Sequence, residues 1–170
     1  YSEWFLNRIR AGYCTVPNPF NRNQVTYVPL QPEDVDVIVF WTRNPRPLLP
    51  HLTELDERGY RYYFQYTIMN NPRWLDPKSP SVDAAIATMH ELAHVIGPER
   101  VIWRYDPIVF SAATDAAFHA RTYARIAGLL KDCTRRSVVS IVDRYKKAEG
   151  RLQDVAQHGI TLSSGPPIAW

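Results

Sequence analysis

Cysteine is scarce: 170 residues hold two, Cys14 and Cys133, far apart in sequence. They make no metal-ligand spacing and no disulfide framework, which sets aside small stapled folds and thiolate-built zinc modules. No apolar run approaches the ~20 residues of a membrane span, and no signal peptide opens the chain. A Gly-rich phosphate loop and a G-x-S-x-G nucleophile elbow are also missing. Charge of one sign is not in large excess: the net charge of +3 permits an anionic ligand and does not indicate nucleic acid. The basic pairs Arg135-Arg136 and Lys146-Lys147 read as a solvated face. The chain opens at Tyr1 with no initiator Met and reads as a fragment or as lacking an ordered start. A reducing, cytoplasmic setting is the expectation; composition leaves the oligomeric state open.

What is present is a set of apolar runs that each turn polar at the far end. Val101-Ile102-Trp103 leads into Arg104-Tyr105-Asp106-Pro107, and Val37-Ile38-Val39-Phe40-Trp41 leads into Thr42-Arg43-Asn44-Pro45. Tyr62 to Thr67 and Val138 to Val142, followed by Asp143-Arg144, repeat the pattern. β-branched and aromatic residues suit a covered pleated surface, so all four read as buried strands. Helices are predicted between them. Ser2 caps one to Arg10 with Phe5 and Ile9 on one face, and Gly12 stops it. Arg46 to Arg58 forms another, with Pro47 and Pro50 in its first turn. Ser81 caps a third to Ile96. Thr114 or Asp115 caps a fourth, with Ala116, Ala120, Tyr123, Ala127 and Leu130 as its buried stripe.

Tyr13 to Val16 and Gln24 to Val28 are short extended pieces around a Pro- and Asn-rich turn, and Asn70 to Pro80 is a loop. Strands are expected at Val35 to Thr42, from Tyr60, at Arg100 to Asp106 and at Ser137 to Val142. A helix over Lys146 to Gln157 and a strand over Gly159 to Leu162 complete a single domain at 1–162, with a loose tail at 163–170. Buried strands alternating with crossover helices mean α/β, with parallel (β/α) units forming a partial TIM-type barrel.

In such folds ligands sit beyond the carboxyl ends of the strands. The candidates there are Thr42, Arg43, Asn44, Gln65, Thr67, Arg104, Asp106, Asp143 and Arg144. Guanidinium groups hold carboxylate or phosphate bidentately, so the cluster predicts an anionic small-molecule ligand. Arg104 and Asp106 share a strand face by their i, i+2 spacing and are expected in one polar pocket near Gln65 or Thr67. They either serve a ligand or serve each other.

His90-Glu91-Leu92-Ala93-His94 matches H-E-x-x-H, in which two histidines one turn apart bind zinc and the glutamate is a general base. The core stripe Val82, Ala85, Ile86, Met89, Ala93 and Ile96 places both histidines on the outer side of the helix, and Arg100 stands where a third histidine would. His51, His119 and His158 read as surface residues.

Several blocks carry a resemblance: Tyr1-Ser2-Glu3-Trp4-Phe5, Asn18-Pro19-Phe20-Asn21, Val39-Phe40-Trp41-Thr42-Arg43-Asn44-Pro45, Tyr63-Phe64-Gln65-Tyr66-Thr67 and Gly97 to Pro107. In order from Tyr1 to about Tyr145, the chain resembles the domain of unknown function 1848 family. The resemblance implies kinship with radical S-adenosylmethionine enzymes, whose closely spaced cysteine trio holds an iron–sulfur cluster; this chain has no such trio. It also implies S-adenosylmethionine or substrate at the strand ends, with Arg104 or Arg43 on the methionyl carboxylate. Three readings stand: the scaffold of a radical-type enzyme, a noncatalytic α/β binding module, and a zinc-dependent hydrolase acting through His90-Glu91-x-x-His94.

Overall fold

A computed structural model of the chain describes residues 1–142. They form α1 (Ser2–Ala11), β1 (Tyr13–Asn18), β2 (Asn21–Pro29), β3 (Ile38–Thr42), α2 (Leu52–Glu57), β4 (Tyr62–Thr67), α3 (Val82–Ile96), β5 (Val101–Ile108), α4 (Ala116–Leu129) and β6 (Arg136–Ile141). Short 3-10 turns lie at Pro32–Asp34, Arg46–His51 and Pro98–Arg100. The fold is α/β. β3, β4, β5 and β6 make, in that order, a four-stranded parallel sheet, with β3 and β6 outermost among the described strands. Among the described residues it is not closed into a barrel. β1 and β2 pair antiparallel in a sheet of their own. No described helix is long and apolar enough to cross a membrane. The helix expected at 146–157, the strand at 159–162 and the tail lie outside the described residues.

The described residues divide into two compact units: Tyr1–Phe40 with Arg46–Tyr63, and Trp41–Pro45 with 64–142. In the first, α1 buries Leu6 and Ile9, while Phe5 meets Phe40 edge-on at 5.3 Å. Tyr1, not Ser2, stands at the cap position of α1, without a side-chain cap; Ser2 is already helical. Gly12 ends the helix at φ 74°, where a Cβ would also run into the Gln31 side chain. The helix expected over Arg46 to Arg58 is shorter than its sequence pattern. Pro50 has no N–H to donate, so Arg46–His51 winds as 3-10 turns and only Leu52–Glu57 is α-helical. Arg10 and Arg58 both bond Glu54, and the Arg10 contact leads in holding its carboxyl down, to about 2.

The second unit is built on β4 and β5. Phe64 and Tyr66 of β4, and Val101, Trp103 and Tyr105 of β5, are buried. Burying each large side chain stabilises the fold by roughly 1.5–3 kcal/mol. Their polar tips all find partners: the Trp103 indole N–H donates to Ile68 O at 3.1 Å, Tyr66 OH to Ala85 O at 3.1 Å, and Tyr105 OH meets His119 Nδ1 at 2.9 Å. Ser81 caps α3, its Oγ accepting from Ala84 N, and α3 buries Leu92 and Thr88 besides Ala85, Ile86, Met89, Ala93 and Ile96. Asp115 caps α4, its Oδ1 accepting from Phe118 N at 2.7 Å.

Three expectations are corrected here. The outer strands are not buried: Trp41 is 66% exposed and Ile141 52%, each strand having a neighbour on one side only among the described residues. The buried residues of α4 are His119, Thr122 and Ile126, with Leu130 buried just past its end as expected, Tyr123 and Ala127 half-buried, and Ala116 and Ala120 exposed. His119 is therefore an interior residue, 4% exposed. Its Nε2–H donates to Val109 O at 3.2 Å, which leaves Nδ1 to accept from Tyr105.

Candidate functional site

The polar residues at the strand ends form two arrangements within the second unit. Register places Thr67 of β4 beside Arg104 of β5, and Gln65 beside Ile102. Arg104 Nε donates to Asp106 Oδ2 at 2.9 Å, and Nη2 donates to the same oxygen. Nη1 donates to Gln65 Oε1 at 2.5 Å. The guanidinium also lies over the Trp41 indole, 4.1 Å from its centroid, a cation–π contact. Asp106 Oδ1 accepts from Ser140 Oγ of β6. Arg104 and Asp106 side chains are 13% and 10% exposed. A charge pair so enclosed needs these neighbours, because a lone ion there would be strongly destabilising. The Asp106-Pro107 peptide is cis.

Arg43 follows β3 and is tied differently. Nη1 alone makes its bonds, donating to Asp76 Oδ2 and, at 3.1 Å, to Ser79 Oγ. Both partners come from the loop between β4 and α3, which Arg73 also braces by donating to Ser79 O at 2.6 Å. Thr42 Oγ1 accepts from the backbone N–H of the exposed Asn44 at 3.0 Å. Between these groups lies an open cleft of about 400 Å³, lined by Trp41, Thr42, Arg43, Thr67, Asp106 and Pro107. Thr67 is 5% exposed, and its hydroxyl has no hydrogen-bond partner among the described residues. A second cavity of about 250 Å³ is lined by this loop and the start of α3, and Asn71 in its lining has Oδ1 buried without a partner among the described residues. A bound water would satisfy it.

Of the residues singled out in the sequence, the cleft wall brings together Thr42, Arg43, Thr67 and Asp106. Arg104 and Gln65 stand in the hydrogen-bonded layer beside it. Asp143 and Arg144 lie outside the described residues. Sequence reasoning missed Trp41, Ser140, Asp76 and Ser79. Trp41 read as strand core, and Ser140 sits within an apolar run. Asp76 and Ser79 reach Arg43 across more than thirty residues through a loop that has no periodicity to read.

The zinc motif does not assemble. His90 Nε2 lies 3.0 Å from Leu129 O and donates to it, so Nδ1 accepts from the Cys133 thiol at 3.1 Å. His90 is thus engaged with the end of α4 while remaining exposed, as the core stripe of α3 implies. His94 is exposed. Among the described residues no three His, Cys, Asp or Glu side chains cluster as metal ligands would. The described residues therefore assemble no zinc site. They do not fit an iron–sulfur cluster either, since its usual thiolate ligands number more than the two cysteines of this chain. Burial, with Asp132 nearby, pushes the Cys133 thiol up, away from the thiolate form that ligates metal.

A four-stranded parallel sheet with helices, and a polar cleft at the carboxyl ends of its strands, defines an α/β protein. The description of the family DUF1848, a domain of unknown function, matches residues 1–165. The chain belongs to that family. No curated protein and no solved structure matches it.

Proposed function

We propose that the cleft at the carboxyl ends of β3, β4 and β5 binds an anionic small molecule. The observation that carries this reading is the state of the cleft's hydrogen-bonding groups. Arg43 has donors to spare and the enclosed Thr67 hydroxyl has no partner, while the surrounding charges are already neutralised in pairs. A volume of about 400 Å³ suits a small molecule. The sharper reading makes the chain the scaffold portion of a radical-S-adenosylmethionine-like iron–sulfur enzyme, a partial TIM-type barrel whose cluster ligands come from outside these residues. It rests on the family resemblance and on the polar strand ends.

A noncatalytic binding module is the second reading. It is favoured by the pairing of Asp106 with Arg104 and of Asp76 with Arg43, which leaves no unpaired carboxylate among the described residues of the cleft wall to act as a general base. The test is a ligand screen by nuclear magnetic resonance on the full 170-residue chain, using small carboxylates and phosphates. Saturable shifts at Thr42, Arg43, Thr67 and Asp106 are expected. Shifts confined to other surfaces would remove the cleft as the site.

A further inference from the structure

The two arginines of the strand ends differ in which edge of the guanidinium is engaged, and this difference selects between them. Nε and Nη2 form the edge that meets two oxygens of a carboxylate or phosphate at once. Arg104 gives that edge to Asp106 and gives Nη1 to Gln65. Arg43 does the reverse: Nη1 holds Asp76 and Ser79, and Nε and Nη2 have no partner among the described residues. Arg43 lines the cleft, and Arg104 does not. An oxyanion at Arg104 would have to displace the buried Asp106, whereas one at Arg43 meets a vacant edge. Thr67 stands in the same wall with its hydroxyl unpartnered and its side chain enclosed, able to donate to an oxyanion. Trp41 completes the wall. Arg104 covers part of its ring from outside the cleft wall, and Trp41 as a residue is still 66% exposed. Flat groups stack on such a ring.

We infer that the cleft takes a small aromatic acid: a carboxylate or phosphate held by the Nε–Nη2 edge of Arg43 with the Thr67 hydroxyl, and a flat ring against Trp41. This rests on the reading of the cleft as an anion site and names its receptor and ligand class. Arg104, Asp106, Gln65 and Ser140 then act as positioning residues, fixing the indole and the cleft floor.

The experiment titrates the isotope-labelled 170-residue chain with benzoate, phenyl phosphate, benzamide and acetate, following the Arg43 Nε–H, the Trp41 indole N–H and the backbone. Benzoate or phenyl phosphate should shift both side-chain signals saturably, and the tighter of the two tells carboxylate from phosphate. Benzamide should bind about tenfold more weakly, as should benzoate to Arg43→Gln, because a charge-assisted bidentate contact is worth at least that factor. Arg43→Lys keeps the charge opposite Asp76 and guards against loop disorder; it should recover only part of the loss. Trp41→Leu should bring benzoate down to the affinity of acetate. Equal binding of benzoate and benzamide would overturn the inference. If Arg43→Gln bound anions like the parent while Arg104→Met with Asp106→Leu lost them, the anion cleft would stand and the Arg43 assignment would fall. If none of the four probes moved a cleft signal, both would fall.

Discussion

Along β5, Val101, Trp103 and Tyr105 point one way and are at most 2% exposed, while the alternate residues Ile102, Arg104 and Asp106 point the other. The first face is an aromatic stack: Trp103 lies on Tyr123 at 4.7 Å and meets Tyr105 edge-on at 5.9 Å. The second is a charge pair closed by Gln65, Ser140 and Trp41. One strand thus carries stability on one side and a preformed polar wall on the other. The covered face contributes through area removed from water, and the charged face through complete pairing, so substitutions on the two should fail differently.

The largest effect is expected on the covered face. Trp103→Ala removes a buried ring and an indole hydrogen bond and should cost close to the upper end of ~3–5 kcal/mol in chemical denaturation. A loss under ~1 kcal/mol would mean that this face does not hold the unit together. On the charged face, Asp106→Leu should cost roughly 3 kcal/mol by stranding Arg104, while Arg104→Met with Asp106→Leu should come back near the parent. A double variant as damaged as the sum of its single changes would contradict a mutually serving pair, and a double-mutant cycle measures this directly.

A smaller change sharpens the covered face. Tyr105→Phe keeps the ring but leaves His119 Nδ1 without its donor, for about 1–2 kcal/mol. The same phenol makes a pH prediction. Burial pushes Tyr105 up to about 12 from its ordinary 10.0. The folded state therefore keeps a proton that the unfolded chain gives up, so this contribution is whole below pH 10 and fades as pH rises toward 12. The parent should lose stability over that window more steeply than Tyr105→Phe, as read by denaturation at successive pH values. Smallest is the cap of α4: Asp115→Ala should cost about 1 kcal/mol without touching either face of β5.

Much of β5 was legible beforehand. Strict alternation and the i, i+2 spacing of Arg104 and Asp106 are local facts, and a pleated strand turns them into a shared face. Ser81 as the cap of α3 and Gly12 as the stop of α1 were equally local. α4 was not, because a helix rich in alanine presents several weakly apolar stripes of similar merit. The choice fell to His119, whose two ring nitrogens find partners only once β5 and the turn after it are in place. The engagement of His90 was hidden for the same reason: one turn of helix brings His90 and His94 together, but its partners Leu129 and Cys133 come from the end of α4 and the turn after it.

By itself the sequence determined the α/β class, the strands with polar ends and the location of the candidate cleft, since these follow from periodicity and from residues a few positions apart. Only the tertiary structure decided which arginine is closed and which is open. Arg104 meets Asp106 two residues on, but Gln65, Ser140 and Trp41 come from three other strands. Arg43 meets Asp76 and Ser79 from a loop. A guanidinium has five donors in a fixed plane, so what it has left for a ligand depends on every neighbour that reaches that plane, and chain folding alone sets those neighbours.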